Sequence, residues 1–247
     1  MANPSMRDPD RDPRTVPAPI DPMAYYFQDI LLLNRPDAVR LYLIRHGQSG
    51  NNEARLVGAP SVFDPPLTPV GEEQARRLGE RMATYGVDVV YSSPLQRAYN
   101  TGAEIAKRLN LEIKVLDDLQ EINEPLRGTE VNPEEILPPG MTHEAIKRRF
   151  EDDPTWDNLP GNEKSAPFRA RISGAIDQII AENPGKKVAV TCHGGVIQSY
   201  VGHVLGLHSD FPFYAFNASI TSIRAAGARR ALWRLNDLAH LDGMRMT

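Results

Sequence analysis

The chain has 247 residues, 41% hydrophobic and 24% charged, enough for one large α/β domain with a sizeable core. A formal net charge of -4 and a pI near 5.9 exclude nucleic acid as the main partner, because binders of the phosphate backbone are basic. One cysteine, Cys192, excludes an intrachain disulfide, and the apolar run Ile30-Leu31-Leu32-Leu33 is too short for a membrane span or a signal sequence, so the reading is a cytoplasmic protein with no membrane partner.

Residues 1–22 hold six prolines among Asp, Arg and Ala, too little apolar surface to offset the entropy of ordering, and are expected to be a disordered tail. Residues 23–38 form an N-terminal extension. Its Tyr25, Phe27, Ile30, Leu31 and Leu33 suggest a short amphipathic helix, packed on the domain or on a second subunit in a homodimer. The domain itself is expected over residues 39–247.

Val39 to Arg45 is a continuous apolar strand of the kind covered on both faces. It delivers Arg45 and His46 into Gly47, and Ser49, Gly50, Asn51 and Asn52 then read as loop chemistry. Thr68 and Pro69 mark a helix start, with Ala75, Leu78, Met82 and Tyr85 on its inner face. Val87 to Ser92 is a second strand. Ser93 and Pro94 repeat the start signal, which puts Arg97 in the first turn of a helix lined by Ala98, Thr101, Ile105 and Leu109. Leu111 to Leu116 is a third strand and leads to Glu121.

Prolines and glycines interrupt residues 122–166, which read as an inserted cap around one helix, Thr142 to Phe150, with Trp156 and Glu151-Asp152-Asp153 on its solvated side. Helical spacing returns over Pro167 to Glu182. Lys187 to Cys192 is a buried strand ending at His193-Gly194-Gly195, and Val196 to Leu207 is a helix. Ser219 to Arg224 and Ala231 to Leu235 suggest an edge hairpin. Cys192 reads as a core thiol; His143, His203, His208 and His240 show no ligand spacing and read as surface or helix-end residues.

Strands alternating with helices predict a three-layer α/β/α fold with a mostly parallel central sheet. In such sheets ligands bind beyond the carboxyl ends of the strands, where both His46 and His193 fall. A histidine beside an arginine at that position suits phosphoryl transfer. His46 supplies a nucleophile, while Arg45, Arg97 and His193 supply a trap for the phosphoryl oxygens. Asn52 and the backbone of Gly194 and Gly195 are further phosphate contacts, and the helix after Pro94 offers its positive end. Glu121 is the group to protonate the leaving oxygen and then to activate water, with Glu124 as the alternative. A metal site built from His46, His193 and Glu121 is the competing chemistry, and a silent binder of phosphorylated partners is a third reading.

Several stretches resemble the histidine phosphatase superfamily, which includes the cofactor-dependent phosphoglycerate mutases. They are Arg45-His46-Gly47; Pro66-Leu67-Thr68-Pro69-Val70-Gly71; Ser92-Ser93-Pro94-Leu95-Gln96-Arg97-Ala98; Leu119-Gln120-Glu121-Ile122; Gly161-Asn162-Glu163 with Arg171-Ile172; and Thr191-Cys192-His193-Gly194-Gly195. The resemblance implies a phosphoglycerate mutase-like fold and a phosphohistidine on His46. It sets Arg45, Arg97, His193 and Asn52 around the phosphate, makes Glu121 the acid, and implies a small phosphorylated substrate with no metal and no cofactor. The tyrosine- and lysine-bearing segment of the mutases is not found, which favours a phosphatase over phosphotransfer.

Overall fold

Strands β1 (Val39–Arg45) and β4 (Lys187–Cys192) lie side by side in the middle of a six-stranded sheet of order β3-β2-β4-β1-β5-β6. In the computed structural model the described residues are 30–57, 62–123, 142–159 and 161–244. Strands β2 (Val89–Ser92) and β3 (Ile113–Val115) extend the sheet parallel to β4, and β5 (Ile220–Ala226) and β6 (Arg229–Asp237) extend it antiparallel beyond β1. The helices are α1 (Gly50–Val57), α2 (Pro69–Tyr85), α3 (Gln96–Leu109), α4 (His143–Asp152), α5 (Ser165–Glu182) and α6 (Gly194–Leu205).

The alternation of β1 explains the layers. Leu41 and Leu43 point to one face, where Phe168, Ile172 and Ile176 of α5 and Val196 and Tyr200 of α6 pack. Tyr42 and Ile44 point to the other, against Leu78 and Met82 of α2 and Ile105 of α3. Both clusters are almost wholly removed from water. Each such side chain contributes roughly 1.5–3 kcal/mol by burial, so the middle strands are the best-anchored part of the chain. The three-layer α/β/α fold with a mostly parallel sheet is therefore the one expected, with the late hairpin at one edge. Helix α2 starts as expected, with Thr68 Oγ1 accepting the Gly71 N–H at 3.1 Å and Pro69 in the first turn.

Some expectations are corrected. The Gly-Asn-Asn run is not a loop but helix α1, with Asn52 Oδ1 reaching back to accept both the Ser49 N–H and the Ser49 hydroxyl at 2.9 Å, which ties down the start of the helix. Helix α3 begins at Gln96 rather than at Pro94, and Ser93 does not cap it. Helix α6 begins at Gly194, two residues before Val196, so both glycines belong to its first turn. Trp156 is not on a solvated side; its ring lies 4.4 Å from that of Phe211 and packs against the main core. Within the expected cap, α4 and a short turn at Trp156–Asn158 lie among the described residues, while 124–141 lie outside them.

The expected tail and most of the N-terminal extension also lie outside the described residues; from Leu31 the chain runs in turns, with Leu32 buried against Ala38 and Ala226. Among the described residues, no helix is long and apolar enough to cross a membrane.

Candidate active site

The site is set by strand register. β1 and β4 run parallel with Arg45 opposite Cys192, so the residues that follow, His46 and His193, emerge at the same level of the sheet. Their rings meet edge to face at 5.2 Å between centroids. β2 ends alongside, with Ser92 opposite Thr191, and the chain turns there into α3, which carries Arg97 inward. Four residues expected to meet, His46, His193, Arg45 and Arg97, are thus brought to one end of the sheet, each no more than 7% exposed.

Hydrogen bonds fix the protonation of His46. Its Nδ1 lies 2.7 Å from the carbonyl oxygen of Gly47, which only accepts, so Nδ1 carries the hydrogen. Its Nε2 receives the Nε–H of Arg97 at 3.3 Å and so holds a lone pair toward the pocket. The backbone of His46 is held as well. Its carbonyl accepts from Asn217 Nδ2 at 3.0 Å and from the Ala218 N–H at 3.1 Å, and its N–H donates to the Cys192 carbonyl at 3.0 Å. Gly47 donates to Thr101 Oγ1 at 3.0 Å and backs onto Gly71, where a Cβ would meet the Gly71 carbonyl at 2.5 Å. His193 is oriented by Ser93, whose Oγ lies 2.8 Å from its Nε2.

The two guanidinium groups are buried in different ways. Arg45 Nη1 donates to the Ala215 carbonyl at 2.6 Å, and the group lies 5.5 Å from the centre of the Tyr214 ring. Its Nε is buried without a partner among the described residues, on the side facing Gly194. An orphaned buried donor costs about 1–3 kcal/mol, which an anionic oxygen removes. Arg97 Nη1 lies 3.3 Å from Asp64 Oδ1. Asp64 also accepts the Gln96 N–H at 3.1 Å through each carboxylate oxygen. The positive end of α3, expected to face a phosphate, is therefore occupied by a carboxylate from the preceding loop.

Glu121 reaches the same place from the far side. Its Oε2 accepts the Gly195 N–H at 3.3 Å and its Oε1 accepts the Ile122 N–H at 3.1 Å. A Cβ on residue 195 would lie 2.5 Å from Glu121 Oε1, so any larger residue there displaces the carboxylate. At Gly194, which the sequence singled out, a Cβ would make only ordinary contact, at 3.7 Å from Arg45 Nε. Glu121 and Arg97 line one cleft of about 680 Å³, together with Phe63, Leu95, Asp118, Gln120 and Arg171. Asn52 sits beside the pocket, but its Oδ1 is engaged by Ser49 and by Asn217 Nδ2 at 3.2 Å. Glu124 lies outside the described residues. Among the described residues, no three His, Cys, Asp or Glu side chains gather into a group able to hold a metal ion. Cys192 is fully buried, and burial together with the nearby Glu121 carboxylate pushes its thiol pKa up.

Residues 41–238 match the family described as histidine phosphatase superfamily, branch 1. The chain belongs to that superfamily. Phosphoserine phosphatase 1 of Hydrogenobacter thermophilus is 30% identical to it over 206 residues, covering 82% of this chain and 94% of the relative. A mycobacterial glucosyl-3-phosphoglycerate phosphatase is 25% identical with a TM-score of 0.66, covering 81% of this chain and 99% of that structure. The phosphoserine phosphatase of Entamoeba histolytica, in complex with phosphoserine and carrying a histidine-to-alanine change, is 24% identical with a TM-score of 0.66 and shares the fold; 82% of this chain and 99% of that one are covered.

In this histidine phosphatase several pocket residues carried no signal in the sequence. Asp64, Ser93, Asn217 and Tyr214 meet the predicted residues from positions 33 to 171 residues away in the chain. Ser93 was visible, but as a helix cap. Asn217 follows an aromatic stretch without periodicity, and only the antiparallel placing of β5 beside β1 brings it under His46.

Proposed function

We propose that the chain hydrolyses small phosphomonoesters through a phosphohistidine on His46, with Glu121 as general acid and base. The observation that carries this is the state of His46: Nδ1 holds the hydrogen on a backbone carbonyl, so the Nε2 lone pair is directed at the pocket it shares with Arg97 and His193. That is the form a nucleophile requires. Nε2 attacks phosphorus in line with the ester oxygen. The bond from phosphorus to that oxygen breaks, and the Glu121 carboxyl gives the departing alkoxide its proton. Glu121, now a carboxylate, takes a proton from a water that attacks the phosphohistidine, releasing phosphate and restoring the imidazole. Arg45, Arg97 and His193 hold the equatorial oxygens throughout, as charge shifts among them. In this scheme Arg97 leaves both Asp64 and His46 Nε2 for the substrate phosphate, which frees the lone pair for attack. The α6 N-terminus adds the backbone N–H of Gly194, while that of Gly195 is held by Glu121. Asn52 acts on the pocket through Asn217, and as a direct ligand only through its amide nitrogen.

The names of the relatives support a small phosphorylated substrate, and phosphoserine and 3-phosphoglycerate head the panel to be assayed without added metal. Transfer of label from substrate to His46 tests the mechanism. The quench is made in alkaline denaturant, because the phosphorus–nitrogen bond hydrolyses in acid. A labelled peptide containing His46 is expected in single turnover with the wild type, and none with His46→Ala. Turnover of any ester without that label rejects the covalent route. Free phosphate as product, rather than phosphate moved to another oxygen, separates hydrolysis from mutase chemistry.

A further inference from the structure

Glu121 sits on chain that has almost no regular structure to aim it. β3 is a three-residue edge strand, and between it and residue 123 the only element is a single turn at Asp117–Leu119. Leu119 and Ile122 anchor this stretch in the main core, and one residue of α5 grips its backbone. The Arg171 guanidinium forks onto Glu163, with Nε 3.2 Å from Oε1 and Nη2 2.7 Å from Oε2. Its remaining edge donates to backbone: Nη1 reaches the carbonyl of Asp118 at 2.8 Å and that of Gln120 at 3.0 Å. Glu163 then takes hold on the other side. Its Oε2 accepts the Asn123 N–H at 3.1 Å, and its own N–H donates to the Asn123 carbonyl at 2.8 Å. The backbone is thus clasped at 118, 120 and 123, on both flanks of Glu121, by one ion pair.

The pair is built to be stiff. Its side chains are 22% and 19% exposed, and the guanidinium plane lies 5.1 Å from the centre of the Phe168 ring. Phe168 is itself fully buried and supports the carboxylate end, since its Cζ lies 3.5 Å from where a Cβ of residue 195 would be. A planar fork with four fixed partners loses little entropy per bond, which a lysine cannot match. We propose that Arg171 and Glu163 are positioning residues for Glu121: their ion pair sets the direction of the carboxyl that serves the leaving group, and neither is a ligand for the substrate. This rests on the reading of Glu121 as the acid.

The test uses a series of alkyl and aryl phosphomonoesters of graded leaving-group pKa, with kcat and KM measured for Arg171→Gln, Arg171→Lys, Glu163→Gln and Glu121→Gln. Misplacing a reacting group by about 1 Å costs ~100-fold, so losses in kcat of roughly 10- to 100-fold are expected for alkyl esters in Arg171→Gln and Glu163→Gln. Aryl esters such as p-nitrophenyl phosphate, which leave without a proton, are expected to lose less than about 3-fold, with KM nearly unchanged. The plot of log kcat against leaving-group pKa steepens in the same sense as for Glu121→Gln. Arg171→Lys restores charge but not the fork and recovers only part of the loss. Equal losses for every ester, or a raised KM with an unchanged slope, overturn the proposal. If Glu121→Gln steepens the slope and the ion-pair variants do not, this inference alone falls. If Glu121→Gln leaves the slope unchanged, the acid assignment falls and takes the inference with it. Should Arg171→Gln fail to fold, Glu163→Gln decides, since its amide oxygen still accepts from Asn123.

Discussion

The two sides of the pocket are made differently. The side holding His46, His193, Arg45 and Arg97 is delivered by the ends of the central parallel strands and the helix beside them, and its imidazoles and guanidiniums are 0–7% exposed. The side holding Glu121 hangs from an edge strand and depends on side chains of α5 and on the glycine at the start of α6. In the proposed mechanism the first side meets a phosphate, which is the same in every phosphomonoester, and the second meets the leaving group, which differs from one ester to the next. Central strands give a rigid frame for the constant part of the substrate, and irregular chain held by a few replaceable side-chain contacts gives a frame that substitutions can re-aim for the variable part.

Four changes break or sharpen that contrast. His46→Ala removes the nucleophile on the rigid side, and turnover of every ester is expected to fall by roughly 10,000-fold or more, whatever the leaving group. Phosphate release measured across the ester panel checks this, with unchanged circular dichroism showing that the fold survives. Glu121→Gln acts on the adjustable side and is expected to cost about 100- to 10,000-fold for alkyl esters but far less for aryl ones. A loss independent of the leaving group erases the distinction between the two sides.

Gly195→Ala is a smaller push on the same carboxyl. The new Cβ, 2.5 Å from Glu121 Oε1, turns the carboxyl aside. A loss of roughly 10-fold for alkyl esters is expected, within the range of a displaced general acid. Combining it with Glu121→Gln in a double-mutant cycle should show that the two effects do not add.

The smallest effect concerns stability and lies away from the pocket. Burial holds the His240 imidazole down to a pKa of about 4, against 6.5 ordinarily; Arg81 and Arg77 push the same way and Asp237 opposes them. The unfolded chain therefore binds the extra proton first. The stability this histidine contributes is complete above pH 6.5 and is lost as the pH falls toward 4. The loss amounts to about 1–3 kcal/mol, discounted for its partial exposure. Denaturant melts of wild type and His240→Gln at pH 7 and pH 4.5 test this, and the variant should show the flatter dependence.

The contrast between the two sides also governs what the sequence disclosed. β1, β4 and the helix start at Thr68 follow from local patterns, apolar runs and a cap with proline, so His46, His193 and Arg97 were placed by reading along the chain. Their convergence followed from one rule about parallel sheets. Asp64 on Arg97 and Asn217 on His46 sit on irregular chain and were silent because their contacts are distant and unpatterned, while Glu163 and Arg171 were visible only as a family-like stretch with no role attached. Helix α1 was misread because glycine and asparagine signal loops, and the asparagine that closes its cap does so through a side-chain oxygen that composition does not reveal. His240, expected at the surface or a helix end, sits in the short turn Ala239–Leu241 after β6 and is half-buried there.

Cys192 occupies the very strand end that delivers His193, yet its sulfur is removed from solvent and burial pushes its thiol pKa up. Peroxide, disulfides and alkylating agents attack thiolates, and those agents silence enzymes that carry phosphate on sulfur. With phosphate carried on an imidazole, as proposed, and the sole thiol sealed in the sheet, turnover is expected to survive thiol-directed oxidants.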